Sequence, residues 1–212
     1  MKETTLEILE KLIDSYPQLR MCREEIEKAF LLLKNCCEKN GRIFVCGNGG
    51  SASDSEHIVG ELLKSFKKPR PIGGDIYKKL KKFGDDGEYL CQMLEGALPA
   101  FSLTSQMSII TAFSNDKCWE ATFAQELYGL GQTGDCLISL STSGNSKNCV
   151  YAVLVARAKD IISISLTGED GGKLKQYSDC TITAPEKETY KVQELHLPIY
   201  HCLCAMLENE FF

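Results

Sequence analysis

The sequence predicts an α/β protein in which a parallel sheet is covered by helices on both faces. Short apolar runs ending in turns alternate with helical patterns, at 42–46, 99–103, 136–141, 161–166 and 180–184. Two of these runs, Arg42-Ile43-Phe44-Val45-Cys46 and Cys136-Leu137-Ile138-Ser139-Leu140, lead directly into glycine- and serine-rich loops. Each loop opens a stretch of helical periodicity, so a strand, a flexible turn and a helix start are expected twice.

Residues 4–39 form one long or two shorter helices. Leu6, Leu9, Leu12 and Ile13, then Ile26, Phe30 and Leu33, recur at helical spacing, and Pro17 is a natural break. Residues 1–40 are therefore expected as a helical segment packed on the sheet domain or on a partner subunit, and 41–212 as the sheet domain. Within that domain 67–88 is the most polar stretch, with Lys67-Lys68-Pro69-Arg70-Pro71 and Lys78-Lys79-Leu80-Lys81-Lys82. The sheet resumes straight afterwards, so a lobe or lid at about 67–95 fits better than a linker. Its lysines could attract an anion, although such a run more often forms a solvated helix face. Gly168, Gly171 and Gly172 make the turn into the next helix. The last element, roughly 188–210, carries Leu195, Ile199, Leu203 and Met206 on an apolar stripe together with His196 and His201. Pro198 between the histidines kinks this helix or marks its start. His196 lies off the His201 stripe and is expected to be partly buried with its bonding satisfied.

Composition narrows the function. A chain of 212 residues suits one domain, and its net charge of −5 gives no electrostatic footprint for nucleic acid. No run of about 18 apolar residues could span a bilayer. The acidic, amphipathic start lacks the apolar core of a secretory signal. The eleven cysteines fall inside predicted elements without a C-x-x-C pair, as small apolar residues do in a reducing cytoplasm. Cys46 and Cys136 stand just before the two loops, but nothing nearby in the sequence activates a thiol. A small-molecule partner is expected.

The two loops, Gly47-Asn48-Gly49-Gly50-Ser51-Ala52-Ser53 and Ser141-Thr142-Ser143-Gly144-Asn145-Ser146, have the makings of phosphate cradles. Glycine lets backbone N–H groups approach an anion, hydroxyls add donors, and the helix start adds partial positive charge. The helix after the first loop carries His57 and Glu61, four residues apart and so on one face. Such a pair can chelate a divalent metal, supply acid/base groups, or simply share a surface hydrogen bond.

The strings GNGGSASDSEHIVGEL, STSGNS, SLTGEDGGKL and VQELHLPIYH, in that order, resemble the SIS-domain sugar isomerases and, within them, the sedoheptulose 7-phosphate (phosphoheptose) isomerases. The resemblance runs from about residue 42 to the C-terminus, with 67–95 longer than the usual pattern. It implies an αβα sandwich around a five-stranded parallel sheet, assembled as a homotetramer with active sites at subunit contacts. It implies a zinc ion held by His57, Glu61, Gln193 and His201, with Glu61 and His201 as the acid/base pair. It also implies that Ser51, Ser141, Thr142, Ser143, Ser146 and Gln193 bind the substrate and its phosphate, with Asn48 and Gly49 lining the pocket. The reaction would be an aldose–ketose shift through an enediol. The alternative is a non-catalytic SIS protein that binds a phosphosugar as a signal or binds a replication initiator; the presence of both Glu61 and His201 favours the enzyme.

Two points stand against a simple transfer. Gln193 and His201 are eight residues apart, about 12 Å of helix rise, so Pro198 must distort the helix or one ligand must come from another subunit. Gln106, Tyr190 and Ser65 stand where the family commonly has an acidic residue, an aspartate and an arginine.

Overall fold

The computed structural model describes residues 1–212. Five strands, β1 (Ile43–Gly47), β2 (Ala100–Ser102), β3 (Cys136–Leu140), β4 (Ile162–Thr167) and β5 (Cys180–Thr183), form one sheet in the order β2-β1-β3-β4-β5. Every neighbouring pair is parallel. Each strand falls within a residue or two of its expected run, because β-branched and aliphatic runs buried on both faces carry a continuous apolar signal.

Alternation along the strands builds two cores. Ile43, Val45, Cys136, Ile138 and Leu140 face one side, where α1 (Glu3–Ser15), α2 (Arg23–Glu38), α3 (Gly50–Leu63) and α10 (Thr189–Phe211) complete a 33-residue cluster. Phe44, Cys46 and Leu137 face the other side and join α7 (Thr122–Leu130), α8 (Lys147–Ala158) and α9 (Leu174–Tyr177) in a cluster of 13 residues. The result is the three-layer αβα sandwich that was expected.

The strand order decides where a ligand can enter. The chain winds from β1 outward to β2 and then returns to β3 on the other side of β1. The loops after β1 and β3 therefore diverge to opposite faces and leave a crevice at the carboxyl ends of these neighbours. Both serine-rich loops lie there, since Gly47 is in register with Leu140.

Pro17 does break the N-terminal helices: a short 3₁₀ turn, Pro17–Cys22, separates α1 from α2. The final helix, by contrast, starts at Thr189 and runs without interruption through Pro198. The alternative that Pro198 marks the start of this helix is thus corrected. Proline removes the donor to residue 194, and Glu194 is exposed, where water can replace the bond.

The polar insertion is a helical arm, α4 (Gly74–Leu80) and α5 (Gly84–Met93) joined by a 3₁₀ turn. A bridge between Pro71 and Glu95 and a 2.6 Å bond from Gly96 N–H to the Arg70 carbonyl close its root. Beyond β2, α6 (Met107–Asp116) buries none of its residues.

Candidate active site

The two loops are tied into one structure. Asn48 and Asn148 exchange side-chain amide bonds, 2.8 Å in each direction, so the turn after β1 is latched to the first turn of α8. Ser141 Oγ donates to Ser146 Oγ at 2.9 Å across the second loop. Gly144 sits at φ +64°, and a Cβ there would lie 2.1 Å from the Gly171 carbonyl oxygen. The turn containing Gly168, Gly171 and Gly172 thus braces the cradle. Leu174 N–H bonds the Gly144 carbonyl at 3.0 Å, and Gly168 N–H bonds that of Thr142 at 2.9 Å. The Ser143 and Ser146 N–H groups donate to nothing within the chain, which leaves both donors free. Ser51 and Ser141 are buried in the floor, Thr142 and Ser146 are half-buried, and Ser143 is exposed at the rim. Gly49 turns the chain into α3 at φ +57°.

From that cradle α3 carries His57 and Glu61. Their side chains meet as the i, i+4 spacing requires, with His57 Nε2 3.2 Å from Glu61 Oε1. His201, on α10, brings its Nε2 to 3.4 Å from the same His57 nitrogen. The His201 ring is wedged between Tyr200, His57 and Phe66, with centroids 4.9, 4.9 and 5.4 Å away. Burial, and then His57, push the His201 imidazole below its ordinary value. Lys64 Nζ stands 3.2 Å from Glu61 Oε2. A cation is thus supplied beside Glu61 one residue before Ser65, the position where the family pattern has arginine. Ser65 instead binds Glu95 through its N–H and hydroxyl.

Gln193 lies elsewhere on the same two helices. A Cβ on Gly50 would come within 2.6 Å of its Nε2, so its amide lies over the start of α3, whereas His201 meets His57 two turns further on. The helices α3 and α10 run side by side in one direction, and the eight-residue gap between Gln193 and His201 mirrors the seven between Gly50 and His57. Gln193 makes no hydrogen bond to the histidine–glutamate trio.

The trio can be tested against a metal by its distances and donors. A tetrahedral zinc with ligands about 2.0–2.1 Å away has ligand–ligand edges of roughly 3.3–3.4 Å. The two measured separations, 3.2 and 3.4 Å, match that edge. His and Glu are also the donor types such an ion takes. The chain's His, Cys, Asp and Glu side chains do not form a three-membered cage in this arrangement, so a small side-chain closure is required. The residues fit the ion in donor type, and the two separations that involve His57 match the edge length, without a closed set around one point.

Five supporting residues escaped the sequence reading. Tyr200 Oη lies 3.1 Å from His57 Nδ1 and 3.2 Å from Asp54 Oδ1. Burial, with Asp54 next, pushes the Tyr200 phenol up, so it keeps its proton. Arg70, wholly buried at the root of the arm, pairs with Glu208 at 2.8 Å and donates to the Leu62 and Glu61 carbonyls at 2.9 and 3.0 Å. These are orphan carbonyls at the C-terminal end of α3, so Arg70 fixes the backbone that carries Glu61. Burial acts to raise the Glu208 carboxyl, but bonds from Phe66 N–H, Lys67 N–H and Arg70 hold it below its ordinary value on balance. Asn148 is the fifth. The available signals were faint: Asp54 is one turn before His57, and Tyr200 adjoins His201.

Other expectations fare unevenly. His196 is wholly buried rather than partly, and only half satisfied. Nε2 lies 3.2 Å from the Thr167 carbonyl while Nδ1 has no partner. Burial depresses its pKa to about 4, so it stays neutral. Gln106 is exposed at the start of α6 and Tyr190 is exposed in the first turn of α10. Cys46 and Cys136 are buried with raised thiol pKa values, Cys46 through its contact with Cys149 and then burial, and Cys136 through burial. Neither is a nucleophile.

Comparison with known proteins agrees with the geometry. The SIS domain family matches residues 10–79 and, in a second form, residues 120–207. A phosphoheptose isomerase of Chromohalobacter salexigens is 36% identical over 88% of this chain and 84% of its own length. One from Akkermansia muciniphila is 33% identical over 94% and 92%. Among solved structures, the phosphoheptose isomerase from Neisseria gonorrhoeae superposes with a TM-score of 0.69 at 29% identity, covering 94% of this chain and 98% of its own. That from Francisella tularensis gives 0.72 at 27% identity, covering 98% and 94%. With two serine-rich loops at the carboxyl ends of β1 and β3 and a histidine–glutamate cluster shared by α3 and α10, this chain belongs to the phosphoheptose isomerase family of SIS-domain proteins.

Proposed function

We propose that this protein interconverts sedoheptulose 7-phosphate and D-glycero-D-manno-heptose 7-phosphate. The observation that carries this reading is the layout of α3. The helix begins in the cradle and presents His57 about 10 Å of rise further on. A phosphate held at one end thus leaves the carbonyl end of an extended sugar beside the ionisable groups.

The chemistry needed is a proton shift between adjacent carbons. Glu61 is the base that takes the proton from C1 of the ketose, and His201 protonates O2 to give the enediol. Return of a proton to C2, with loss of the O1 proton, gives the aldose. Glu61 is nearly buried, so water competes little for its carboxylate. A zinc ion held by His57, Glu61 and His201, with Gln193 as a further donor, would polarise the sugar oxygens that become negative. Ser51, Ser141, Thr142, Ser143 and Ser146 hold the phosphate, with Asn48 and Gly49 shaping the pocket.

We infer a homotetramer with sites at subunit contacts. Support comes from α6, whose Ile109, Ile110 and Phe113 pack into no core of this chain, and from Phe101, 46% exposed on the edge strand β2. A neighbouring subunit would also answer the separation of Gln193 from His201. No helix is long and apolar enough to cross a membrane. The eleven unpaired cysteines favour the reducing cytoplasm, and the net negative charge disfavours nucleic acid.

Incubation with sedoheptulose 7-phosphate, followed for aldose formation, tests the reaction. Turnover that disappears in Glu61→Gln and His201→Ala is expected. Binding without turnover across several ketose phosphates would instead mark a phosphosugar-binding regulator. Light scattering coupled to size exclusion tests the tetramer.

A further inference from the structure

We propose that the helical arm of one subunit docks on the N-terminal helix of a second copy, with the tip residue Phe83 seated in the groove beside that copy's His201. This rests on the tetramer put forward above and supplies a contact it lacks. A closed tetramer built on two-fold axes needs two different self-complementary contacts, and the α6 face accounts for one.

The arm is a surface without a counterpart in its own chain. Its helices α4 and α5 have 7 and 10 residues, pack on each other and on their connecting turn, and bury only Gly87 and Cys91. Helices this short are marginal in water unless something packs on them. Ile76, Phe83, Tyr89, Leu90, Met93 and Leu94 are all exposed, Phe83 at 73%. So much apolar surface on one projection marks a contact. Beside it Lys78, Lys79 and Lys82 are exposed and free of ion pairs, whereas Lys81 stands 3.8 Å from Glu88.

The complementary surface lies on α1 and α10. Glu3, Glu7, Glu10 and Asp14 recur at i, i+4, i+7 and i+11, which makes one acidic stripe along α1, at a groove of about 360 Å³. Only Glu10 among them is paired, with Arg23. Across Lys11, which borders both hollows, lies a cavity of about 390 Å³ lined by Ile8, Leu12, Tyr16, Phe66, Leu197 and His201. An apolar tip flanked by lysines thus matches an apolar groove flanked by carboxylates.

The arm does not close this contact within its own chain. Neither α4 nor α5 is packed on α1 or α10. Their direction is set by a root pinned by the Pro71–Glu95 bridge, the Gly96 N–H to Arg70 carbonyl bond and two bonds from Ser65 to Glu95. Swinging the arm onto its own groove would break that root. Phe66 and Lys67 line the groove and lead into the root, so a two-fold axis near the root carries each arm toward the other copy's groove. A benzyl group seated there takes the place of water against the His201 ring.

Charge reversal tests the contact in the full-length protein. Reversing the arm (Lys78→Glu, Lys79→Glu and Lys82→Glu) sets negative against negative, and reversing the stripe (Glu3→Lys, Glu7→Lys and Asp14→Lys) sets positive against positive. All of these residues are exposed, so the fold is kept. Each variant alone should self-associate at least about tenfold more weakly and run at half the mass of the unsubstituted protein in light scattering. An equimolar mixture should regain the full mass, because every arm then meets a stripe of opposite charge. With the photocrosslinker p-benzoylphenylalanine in place of Phe83, ¹⁴N chains should join ¹⁵N chains at α1 or α10. Full mass in both variants, a mixture that stays at half mass, or crosslinks confined to single chains would overturn the contact. An unsubstituted dimer that still shows the mixing and crosslinking pattern would sink the tetramer alone. Turnover of sedoheptulose 7-phosphate in the same samples should fall in each variant and return on mixing. Turnover that holds steady while association is lost would overturn the part played by the tip at His201, and no turnover in any sample would sink the isomerase reading alone.

Discussion

The two faces of the sheet handle buried charge in opposite ways. On the face of α1, α2, α3 and α10, Arg70 and Glu208 are both wholly buried, yet they pair with each other and every nitrogen and oxygen of the two charged groups has a partner. On the face of α7 and α8, Glu126 is 5% exposed and neither of its oxygens has a partner. The first arrangement keeps both charges in a core, whereas the second drives a carboxyl toward its neutral form, up to about 7 by burial. The site divides along the same line. The side chains proposed to move protons stand on the face that pairs its charges, and the loop after β3 leads to the face that does not.

The sharpest way to break this contrast is at the reacting groups. Glu61→Gln keeps the shape but removes the base, and a loss of about 10²–10⁴-fold in kcat is expected. Steady-state turnover with sedoheptulose 7-phosphate checks it, and binding of the sugar phosphate should survive because the cradle is untouched. A variant that loses binding and keeps its rate would place Glu61 outside the reaction.

Breaking the buried pair comes next. Arg70→Ala leaves Glu208 charged in a core and takes one donor from each of the Glu61 and Leu62 carbonyls, at a cost of about 3–5 kcal/mol in stability. Replacing both partners together, Arg70→Met with Glu208→Leu, should cost less than the single change. Thermal or denaturant unfolding measures both. Activity should fall with Arg70→Ala even where the protein stays folded, since the guanidinium holds the Glu61 carbonyl.

How much of this was legible in the sequence depends on whether a residue's role lies next to it in the chain. The strands, both loops, and the His57–Glu61 pair are short-range features, because apolar runs, glycine turns and i, i+4 spacing are all local. Arg70 meets Glu208 across 138 positions, Tyr200 meets Asp54 across 146, and Asn48 meets Asn148 across 100. No periodicity announces such contacts. Arg70 sat inside a lysine-rich stretch that suggested a solvated face. That was right for the exposed lysines of α4 and misleading for the residue at its root. His196 departs from expectation for a related reason: the helix stripe gives its direction but not the depth at which β4 covers it.

The unpaired carboxylate on the other face gives a smaller, pH-dependent effect. Glu126 has a raised pKa in the folded state, so the unfolded chain releases this proton first. Its penalty is absent below about pH 4.5, grows as pH rises, and is complete above about 7. Glu126→Gln, or Glu126→Leu with its better fit to an apolar site, should stabilise the protein by roughly 1–3 kcal/mol at pH 8 and have little effect at pH 5. Melting curves at the two pH values decide it. A variant destabilised equally at both would mean that Glu126 has a bonded role in the assembled protein.

The mildest change sharpens the comparison at the crevice between the faces. Asn148→Ala deletes one half of the reciprocal amide pair and leaves the half-buried Asn48 amide without its partner. The direct amide tie between the loop after β1 and the first turn of α8 is then gone, while the loop after β3 keeps its brace at Gly168, Gly171 and Gly172. The loss is about 1 kcal/mol, or roughly fivefold. It should appear in KM and leave kcat within about twofold, because Glu61 and His201 are positioned by Arg70 and by α10, neither of which touches the latch. Initial-rate kinetics separates these terms. A drop in kcat with KM unchanged would show that the cradle positions the reacting carbons as well as the phosphate, and that the two faces act as one device.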